Sequence, residues 1–509
     1  MTTPETTQVD NEVENVVEQP AQITAEPAAV AEPVTESPAE APPVPAVTEP
    51  GPEPVAESEP VVRSYPTTLP DLAPPRKAKR PAVSERVLDN GLRVIAVRRP
   101  GVPLVEVRLR IPFAGTGKTF LPRSAVLAET LLSGTSTRSS VEIAADLQSV
   151  GGGLSVSTDP DRLMVAGNAL ASGLPKLLEL LGGVLTDAAY PTKEVSAERD
   201  RLGDRLEMAN SQPAQVARKA MQRRFFGNHP YAVQVPEPDE VRGITPAALR
   251  RLHDTRVVPD GSTLVIVGDT APGRALDAAQ KALSDWTGGS SGSPVKAVRP
   301  PELGPVLVVD RPGSVQSSLR LSLLAVSRAH EDYPALQLAN LTFGGYFSSR
   351  LVENIREDKG YTYSPHATLS HSVAGSIVSV DADVATEVTA PALLEVFYEL
   401  GRISAVPITT EELEQARQYA VGTQALSVAS QSGLASTISA LAGVGLDLDW
   451  FYQHAANLRS ATLEQVRAAA LEYLRPSEAV TVVVGEAERI VEPLSAITDV
   501  EEYEEDEEG

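Results

Sequence analysis

The chain has 509 residues, which is too long for a single hydrophobic core and predicts two or more domains. It contains no cysteine, so disulfides, thiolate catalysis and cysteine-ligated zinc sites are excluded. The formal charge of -24 is concentrated at the two ends, since 13 carboxylates lie in residues 1–62 and 8 in residues 499–508, which leaves the body near about -3. Such a body is not expected to bind nucleic acid, because that binding needs a basic surface.

Residues 1–82 are rich in Pro, Ala, Val, Glu and Thr and nearly free of aromatic side chains. They cannot bury enough surface to offset the entropy of ordering, so we predict a disordered extension. Residues 496–509 are predicted to form an acidic tail. The first residues lack the basic and apolar regions of a secretory signal, and no apolar stretch reaches the roughly 18 residues of a membrane helix. The expected location is the cytoplasm.

The first ordered elements are predicted from residue 83 onward. Asn90–Gly91 is a dipeptide typical of hairpins and joins two extended runs. Helices are predicted over residues 124–132 and from Ser139, whose capping box with Glu142 precedes apolar residues at helical spacing. The three glycines at 151–153 close this helix instead of opening one, so they predict a tight turn and not a phosphate-binding loop.

The chain repeats itself once. Residues 244–269 align without gaps on residues 461–486, at an offset of about 217, and both copies have the order helix, proline turn, buried strand. A linker rich in Gly, Ser and Pro is predicted at 288–301. We therefore predict an internal duplication and two similar α+β domains, at 83–287 and 302–495.

The segment 344–367, GGYFSSRLVENIREDKGYTYSPHA, combines a glycine turn, a short helix and a strand. A serine before the helix can cap it, and Gly360 can end it and turn the chain back. Arg356 in the last turn of the helix and Tyr363 on the next strand are then expected to face one cavity.

In this order, the segments resemble pitrilysin/insulinase-type (inverzincin) metallopeptidases, including the bacterial processing-peptidase-like members. The first domain carries the resemblance in LDNGLRVI at 88–95, LLSGTSTRSSVEI at 131–143 and AERDRL at 197–202. The second carries it in residues 310–326 and the motif at 344–367. The resemblance implies two homologous α/β-roll domains of the metallohydrolase-like type, which form half of a clamshell.

Active members of this family bind zinc through a His-x-x-Glu-His helix and a downstream Glu. The resemblance places Ala125, Ala128 and Glu129 at the three helical positions and Arg205 at the downstream position. Alanine cannot bind a metal or transfer a proton, and a guanidinium repels a dication. The resemblance therefore implies that this chain holds no zinc.

Other catalytic sites are not expected either. A small shift in alignment would bring Asp204 or Glu207 to the downstream position, but the helix would still lack its ligands. No G-x-S-x-G turn joins a predicted strand to a predicted helix, since the match at 288–292 lies in the predicted linker. The six histidines form no helical i, i+4 pair, and they lie at positions 229, 253, 330, 366, 371 and 454.

Family members place an Arg and a Tyr, seven residues apart, against the substrate near the zinc, and Arg356 and Tyr363 match that pair. A guanidinium and a phenol can donate hydrogen bonds to a peptide carbonyl or to a developing oxyanion. Spacing alone leaves another interpretation open, in which Arg356 complements the helix dipole and Tyr363 is a core aromatic residue.

The resemblance implies a non-catalytic, substrate-binding subunit of a heterodimeric zinc endopeptidase that acts on peptides. Zinc is expected in a homologous partner subunit, and no cofactor is expected in this chain. Two alternatives stay open. One is a structural homologue without a proteolytic role, and the other is an autonomous metallopeptidase with an atypical metal site.

Overall fold

A computed structural model of the chain describes residues 80–289 and 295–503. Most of the extension predicted at 1–82, part of the linker predicted at 288–301 and the end of the acidic tail lie outside these residues. Within the segment predicted as an acidic tail, Val500–Glu502 forms a short strand.

The described residues form twelve strands and sixteen α-helices, besides short 3-10 and π-helical turns. The strands are β1 Val83–Val87, β2 Arg93–Arg98, β3 Leu104–Pro112, β4 Gly153–Asp159, β5 Arg162–Leu170, β6 Thr263–Gly268, β7 Val306–Asp310, β8 Gln316–Ala325, β9 His366–His371, β10 Ser376–Ala385, β11 Val480–Gly485 and β12 Val500–Glu502. The helices are α1 Phe120–Thr130, α2 Ser140–Ser149, α3 Leu174–Asp187, α4 Thr192–Asn210, α5 Pro213–Phe226, α6 Pro238–Arg242, α7 Pro246–Arg256, α8 Pro272–Leu283, α9 Tyr333–Asn340, α10 Arg350–Val352, α11 Thr389–Ala405, α12 Thr410–Ser427, α13 Gln431–Ala442, α14 Leu448–Ser460, α15 Leu463–Tyr473 and α16 Ala487–Ser495.

The strands form two six-stranded sheets with matching topology. The first has the order β1-β2-β6-β3-β5-β4 and the second the order β12-β7-β11-β8-β10-β9. The two sheets share a parallel pair, β2 with β6 or β7 with β11, beside a run of antiparallel strands. Only the outer strands differ, since β1 is antiparallel to β2 whereas β12 is parallel to β7. The predicted α+β class with two related halves is confirmed.

The predicted duplication is visible in the bounds of the elements. Helices α7 and α15 begin at Pro246 and Leu463, and strands β6 and β11 begin at Thr263 and Val480, so both pairs are offset by 217 positions. Both strands are buried along their whole length, as expected for apolar strands covered on two faces.

The turn, the helix cap and the helix end that were predicted from short sequence motifs are also confirmed. Strands β1 and β2 pair as an antiparallel hairpin across Asn90–Gly91, and Gly91 has the positive φ of 88° that such a turn requires. Ser139 and Glu142 form the predicted capping box of α2. Gly151, with φ 61°, ends that helix, because its N–H and that of Gly152 donate to carbonyls of the last turn.

Each half contributes one helix to the other half's sheet, a feature that the sequence did not predict. Helix α13 packs Leu434 and Ile438 against the outer face of β2 and β6, in one buried apolar cluster with Val265. Helix α5 packs Met221 against β7 and β11 in the second sheet, in a cluster with Val482. The halves are therefore interlocked instead of being joined only by the linker.

The duplication extends to a pair of arginines in the sheets. Arg108 on β3 lies opposite Val265 and Arg320 on β8 lies opposite Val482, which are equivalent positions. Arg108 Nη1 donates to the carbonyls of Val107 and Gly167, and Arg320 Nη1 donates to the equivalent carbonyls of its own sheet. Each guanidinium thus ties two neighbouring strands together.

No helix among the described residues is both long and apolar enough to cross a membrane.

Candidate functional site

The helix that carries Arg356 begins at Arg350 and continues as a π-helical turn over Glu353–Asp358. Ser349 occupies the N-cap position, but its buried hydroxyl makes no capping hydrogen bond and has no hydrogen-bond partner among residues 80–289 and 295–503. Gly360, with φ 64°, ends the helix as predicted, and its N–H donates to the carbonyl of Arg356. Arg356 therefore lies in the last turn, just before the chain reverses.

A buried ion pair holds this helix in place. Arg350 Nε and Nη2 donate to the two carboxylate oxygens of Glu412, at 2.6 and 2.9 Å. The same guanidinium donates to the carbonyls of Val406 and Pro407, at 3.3 and 3.2 Å. Burial raises the pKa of Glu412, but the hydrogen bonds from Arg350 and Thr409 outweigh it and lower that pKa to about 2.

Arg356 lies between two exposed aromatic rings. Its guanidinium carbon is 4.8 Å from the ring centroid of Phe347 and 5.0 Å from that of Tyr363, which are cation–π distances. Its Nε lies 3.2 Å from a carboxylate oxygen of Glu357. The structure thus brings the two predicted residues into contact, although whether they bind substrate stays a prediction.

The alternative interpretation of Tyr363 as a core aromatic residue is wrong, because its side chain is 83% exposed. Tyr363 also lies in the turn before β9 and not on the strand itself. Its neighbour Thr362 anchors that turn, since the hydroxyl donates to the carbonyl of Asp383 at 2.6 Å. The phenol is therefore free to meet a ligand from solvent.

Sequence reasoning missed Phe347, which completes the sandwich around Arg356. Its side chain is 62% exposed. The sequence spacing of Phe347 and Arg356 did not predict this contact. The contact depends on how the loop after Gly345 folds back over the last turn of the helix. A large aromatic residue in a polar, serine-containing loop was the only available hint.

In the first half, the positions aligned with the family's zinc site lie on α1 and α4, and a contact between Glu129 and Arg205 joins the two helices. Ala125 and Ala128 on α1 pack against the apolar core. Arg205 on α4 donates from Nη2 to Glu129 Oε1 at 2.7 Å. These residues do not fit a zinc ion, because two offer no donor atom and the only carboxylate is bonded to a guanidinium.

The shifted alignments do not restore a ligand. Asp204 and Glu207 both pair with Arg242, at 3.1 and 2.6 Å. The hydrogen bond from Arg242 lowers the pKa of Glu207. Both carboxylates therefore serve an ion-pair network on the surface of α4.

The histidines are dispersed. His253 is buried between the Tyr190 hydroxyl and the carbonyl of Leu185, and burial lowers its pKa. His371 and His454 belong to an aromatic cluster around Tyr333. Across residues 80–289 and 295–503, no group of three His, Cys, Asp or Glu side chains is arranged to hold a metal ion.

The open edge of the first sheet lies beside α1. Strand β4 is the last strand of that sheet and pairs only with β5 among the described strands. Its side chains alternate between exposed and half-buried positions. An unpaired edge of this kind can accept an extended peptide as an additional strand.

Two family models match the chain. The model described as insulinase (peptidase family M16) matches residues 125–239, and the model described as peptidase M16 inactive domain matches residues 243–419. The first therefore covers α1 from Ala125 onward and all of α4, and the second covers Arg356 and Tyr363.

Curated relatives carry peptidase names. A protein of Mycobacterium leprae named as an uncharacterized zinc protease is 25% identical over 311 residues, which are 60% of this chain and 70% of that protein. The uncharacterized zinc protease YmxG of Bacillus subtilis is 23% identical over 350 residues, 67% of this chain and 83% of its own length. Another Bacillus subtilis protein, named "Probable inactive metalloprotease YmfF", is 27% identical over 201 residues, 38% of this chain and 46% of its own length.

Solved structures share the fold. A peptidase M16 inactive domain from Pseudomonas fluorescens superposes with a TM-score of 0.73 at 21% identity, covering 80% of this chain and 98% of that one. A protease from Helicobacter pylori has a TM-score of 0.73 at 17% identity and covers 80% of this chain and 100% of its own. At these identities the likeness concerns the fold alone.

Proposed function

Because the chain belongs to the M16 (insulinase) peptidase family, we propose that it is the non-catalytic, peptide-binding subunit of a heterodimeric zinc endopeptidase. In this proposal a homologous partner subunit carries the His-x-x-Glu-His motif and holds the zinc. The two chains together cleave peptides in the cytoplasm. This chain supplies no metal and no cofactor of its own.

One contrast within the chain carries the proposal. Arg356 and Tyr363 are in contact and accessible, at 5.0 Å from guanidinium carbon to ring centroid. The positions aligned with zinc ligands instead hold two alanines and the ion pair of Glu129 with Arg205. A chain that keeps substrate-facing residues but lacks metal ligands fits a role in binding better than a role in bond cleavage.

The residues of this chain would bind and orient the peptide. The terminal nitrogens of Arg356 and the hydroxyl of Tyr363 can donate hydrogen bonds to a carbonyl of an extended chain. Fixing the scissile bond near the catalytic group lowers the entropic part of the barrier. A zinc ion held by the partner would activate the attacking water.

The test pairs the full chain with a homologue from the same genome that carries His-x-x-Glu-His. Cleavage of a quenched fluorescent peptide is measured for each chain alone and for the co-purified pair. We expect cleavage by the pair only, and a loss of about tenfold or more in kcat/KM for Arg356→Ala. Arg467→Ala removes an exposed arginine on α15 and is the matched control.

The other outcomes assign the chain to the alternatives. A partner that is fully active without this chain, or a pair unaffected by Arg356→Ala and Tyr363→Phe, indicates a structural role. Cleavage by this chain alone that is abolished by a chelator and restored by zinc indicates an autonomous peptidase. Either result rejects the proposal.

A further inference from the structure

The environment of Arg356 leaves one part of its guanidinium available. The guanidinium carbon lies over the rings of Phe347 and Tyr363, at 4.8 and 5.0 Å from their centroids, and a carboxylate oxygen of Glu357 lies 3.2 Å from Nε. Within the described residues, neither terminal nitrogen has a hydrogen-bond acceptor. The edge formed by Nη1 and Nη2 is therefore available to a ligand, while the two aromatic rings contact the guanidinium group.

The two terminal nitrogens of a guanidinium can donate to the two oxygens of a carboxylate in one plane. Arginine and carboxylate groups form paired, charge-assisted hydrogen bonds that are stronger than bonds to a neutral carbonyl. Because the flanking rings restrict the rotamers of Arg356, less side-chain entropy remains to be lost on binding.

The flanking rings add an apolar surface. Tyr363 is 83% exposed and Phe347 is 62% exposed, so each ring keeps area that Arg356 does not cover. Exposed aromatic rings offer contact area to an apolar side chain at low entropic cost. A ligand that carries a carboxylate next to a large apolar side chain complements both parts.

We infer that the Phe347–Arg356–Tyr363 sandwich recognises a peptide carboxylate adjacent to an apolar side chain, and that Phe347 positions the guanidinium for it. The carboxylate belongs either to the C-terminus of a peptide or to an Asp or Glu side chain. This inference rests on the proposed function, because it specifies the peptides that the site would bind.

The test measures binding of three acetylated tripeptides to the full chain by saturation-transfer NMR titration. The probes are Ac-Ala-Ala-Phe with a free carboxylate, the same peptide as its C-terminal amide, and Ac-Ala-Asp-Phe amide. We expect at least one carboxylate probe to bind about tenfold more tightly than the neutral amide. Which of the two binds more tightly distinguishes the C-terminus from the acidic side chain.

Three variants test whether Phe347 positions the guanidinium of Arg356 or only offers an apolar contact to the ligand. Arg356→Lys keeps the charge but loses the forked geometry, so it should abolish the preference for carboxylate. Phe347→Leu keeps apolar contact but removes the ring, so it should reduce that preference by about threefold or more while leaving the affinity for the neutral amide nearly unchanged. Tyr398→Leu, at another exposed aromatic residue, is the control and should change neither.

The outcomes distinguish the two proposals. If neutral and charged probes bind equally and Arg356→Ala weakens both, the chain binds peptides but the carboxylate inference fails. If no probe binds, or if Arg356→Ala changes nothing, both proposals fail. A preference for carboxylate that survives Phe347→Leu overturns the positioning role of Phe347.

Discussion

The guanidinium of Arg205 donates a hydrogen bond of 2.7 Å to the carboxylate of Glu129, which joins helices α1 and α4. Two positions that align with zinc ligands are thus bonded to each other. The contact shows that these two positions are neighbours in space. The ion pair of Arg205 with Glu129 therefore lies where, in zinc-binding relatives, the alignment places two of the metal ligands.

This geometry predicts that zinc binding can be restored. In the variant Ala125→His, Ala128→Glu, Glu129→His and Arg205→Glu, two histidines lie one helical turn apart and a carboxylate faces them. We expect this variant to retain about one zinc ion per chain, measured by mass spectrometry after dialysis.

The same measurement contains its own controls. The three helical substitutions alone leave Arg205 against the site and should retain little zinc, because the guanidinium repels the cation. The unchanged chain should retain none. Stoichiometric zinc in the unchanged chain would contradict the interpretation of the site.

A second prediction concerns the ion pair behind the binding helix. Arg350 is 5% exposed, and its replacement leaves Glu412 half-buried without its cation and the carbonyls without their donor. Arg350→Ala should lower the free energy of unfolding by about 3–5 kcal/mol, measured by urea denaturation.

Arg205→Ala is the control for Arg350→Ala, because it removes an arginine from an exposed ion pair instead of a buried one. Its ion pair with Glu129 is exposed, since the side chains are 52% and 38% accessible, so the change should stay below about 1 kcal/mol. In addition, Arg350→Leu with Glu412→Leu should cost less than Arg350→Ala, because no uncompensated charge remains. Equal losses for Arg205→Ala and Arg350→Ala would refute this account.

Much of the fold was predictable because its signals are local. The Asn90–Gly91 turn, the Ser139 capping box and the glycine at 360 each act within a few residues, and all three are confirmed. The duplication was predictable because Pro and Gly positions repeat at a fixed offset.

The interlocking of the halves was not predictable in this way. The apolar residues of α5 and α13 indicate that each helix has a buried face, but they do not say which sheet covers it. The same limit applies to Phe347, whose contact with Arg356 depends on the path of a loop. Contacts between elements distant in sequence need the assembled fold.

A third prediction follows from the interlocking. Without α13, residues 83–289 would expose Ile95, Val97, Val265 and Val267, each of which contributes about 1.5–3 kcal/mol when fully buried. We expect the separate fragments 83–289 and 302–503 to aggregate and the co-expressed fragments to form a soluble 1:1 complex, measured by gel filtration.

Cleavage of the connection provides the complementary control. A chain nicked between residues 289 and 295 should elute with both pieces together and unfold in one transition, because the contacts of α5 and α13 remain. A fragment 83–289 that is folded and monomeric by itself would show that the exchanged helices are dispensable.

The last prediction concerns pH and the aromatic cluster near the tip of the β9–β10 hairpin. His454 stacks on Trp450 at 4.9 Å and on Tyr333 at 4.8 Å, and His371 packs edge-on against the same tyrosine. Burial, and then the positive charge of Arg328, lowers the pKa of His371 to about 3 and that of His454 to about 4.

The sign of the pH dependence follows from these lowered pKa values. In the unfolded chain the two histidines bind protons near their ordinary pKa of 6.5, whereas in the folded chain they stay neutral to pH 4 or below. Their contribution to stability is therefore complete above pH 6.5 and is lost as the pH falls toward 3. Urea denaturation from pH 7 to pH 4 should show a decreasing free energy of unfolding, with an uptake of about two protons near pH 5. His454→Leu should remove about one of these protons, and an unchanged slope in His454→Leu would reject the assignment.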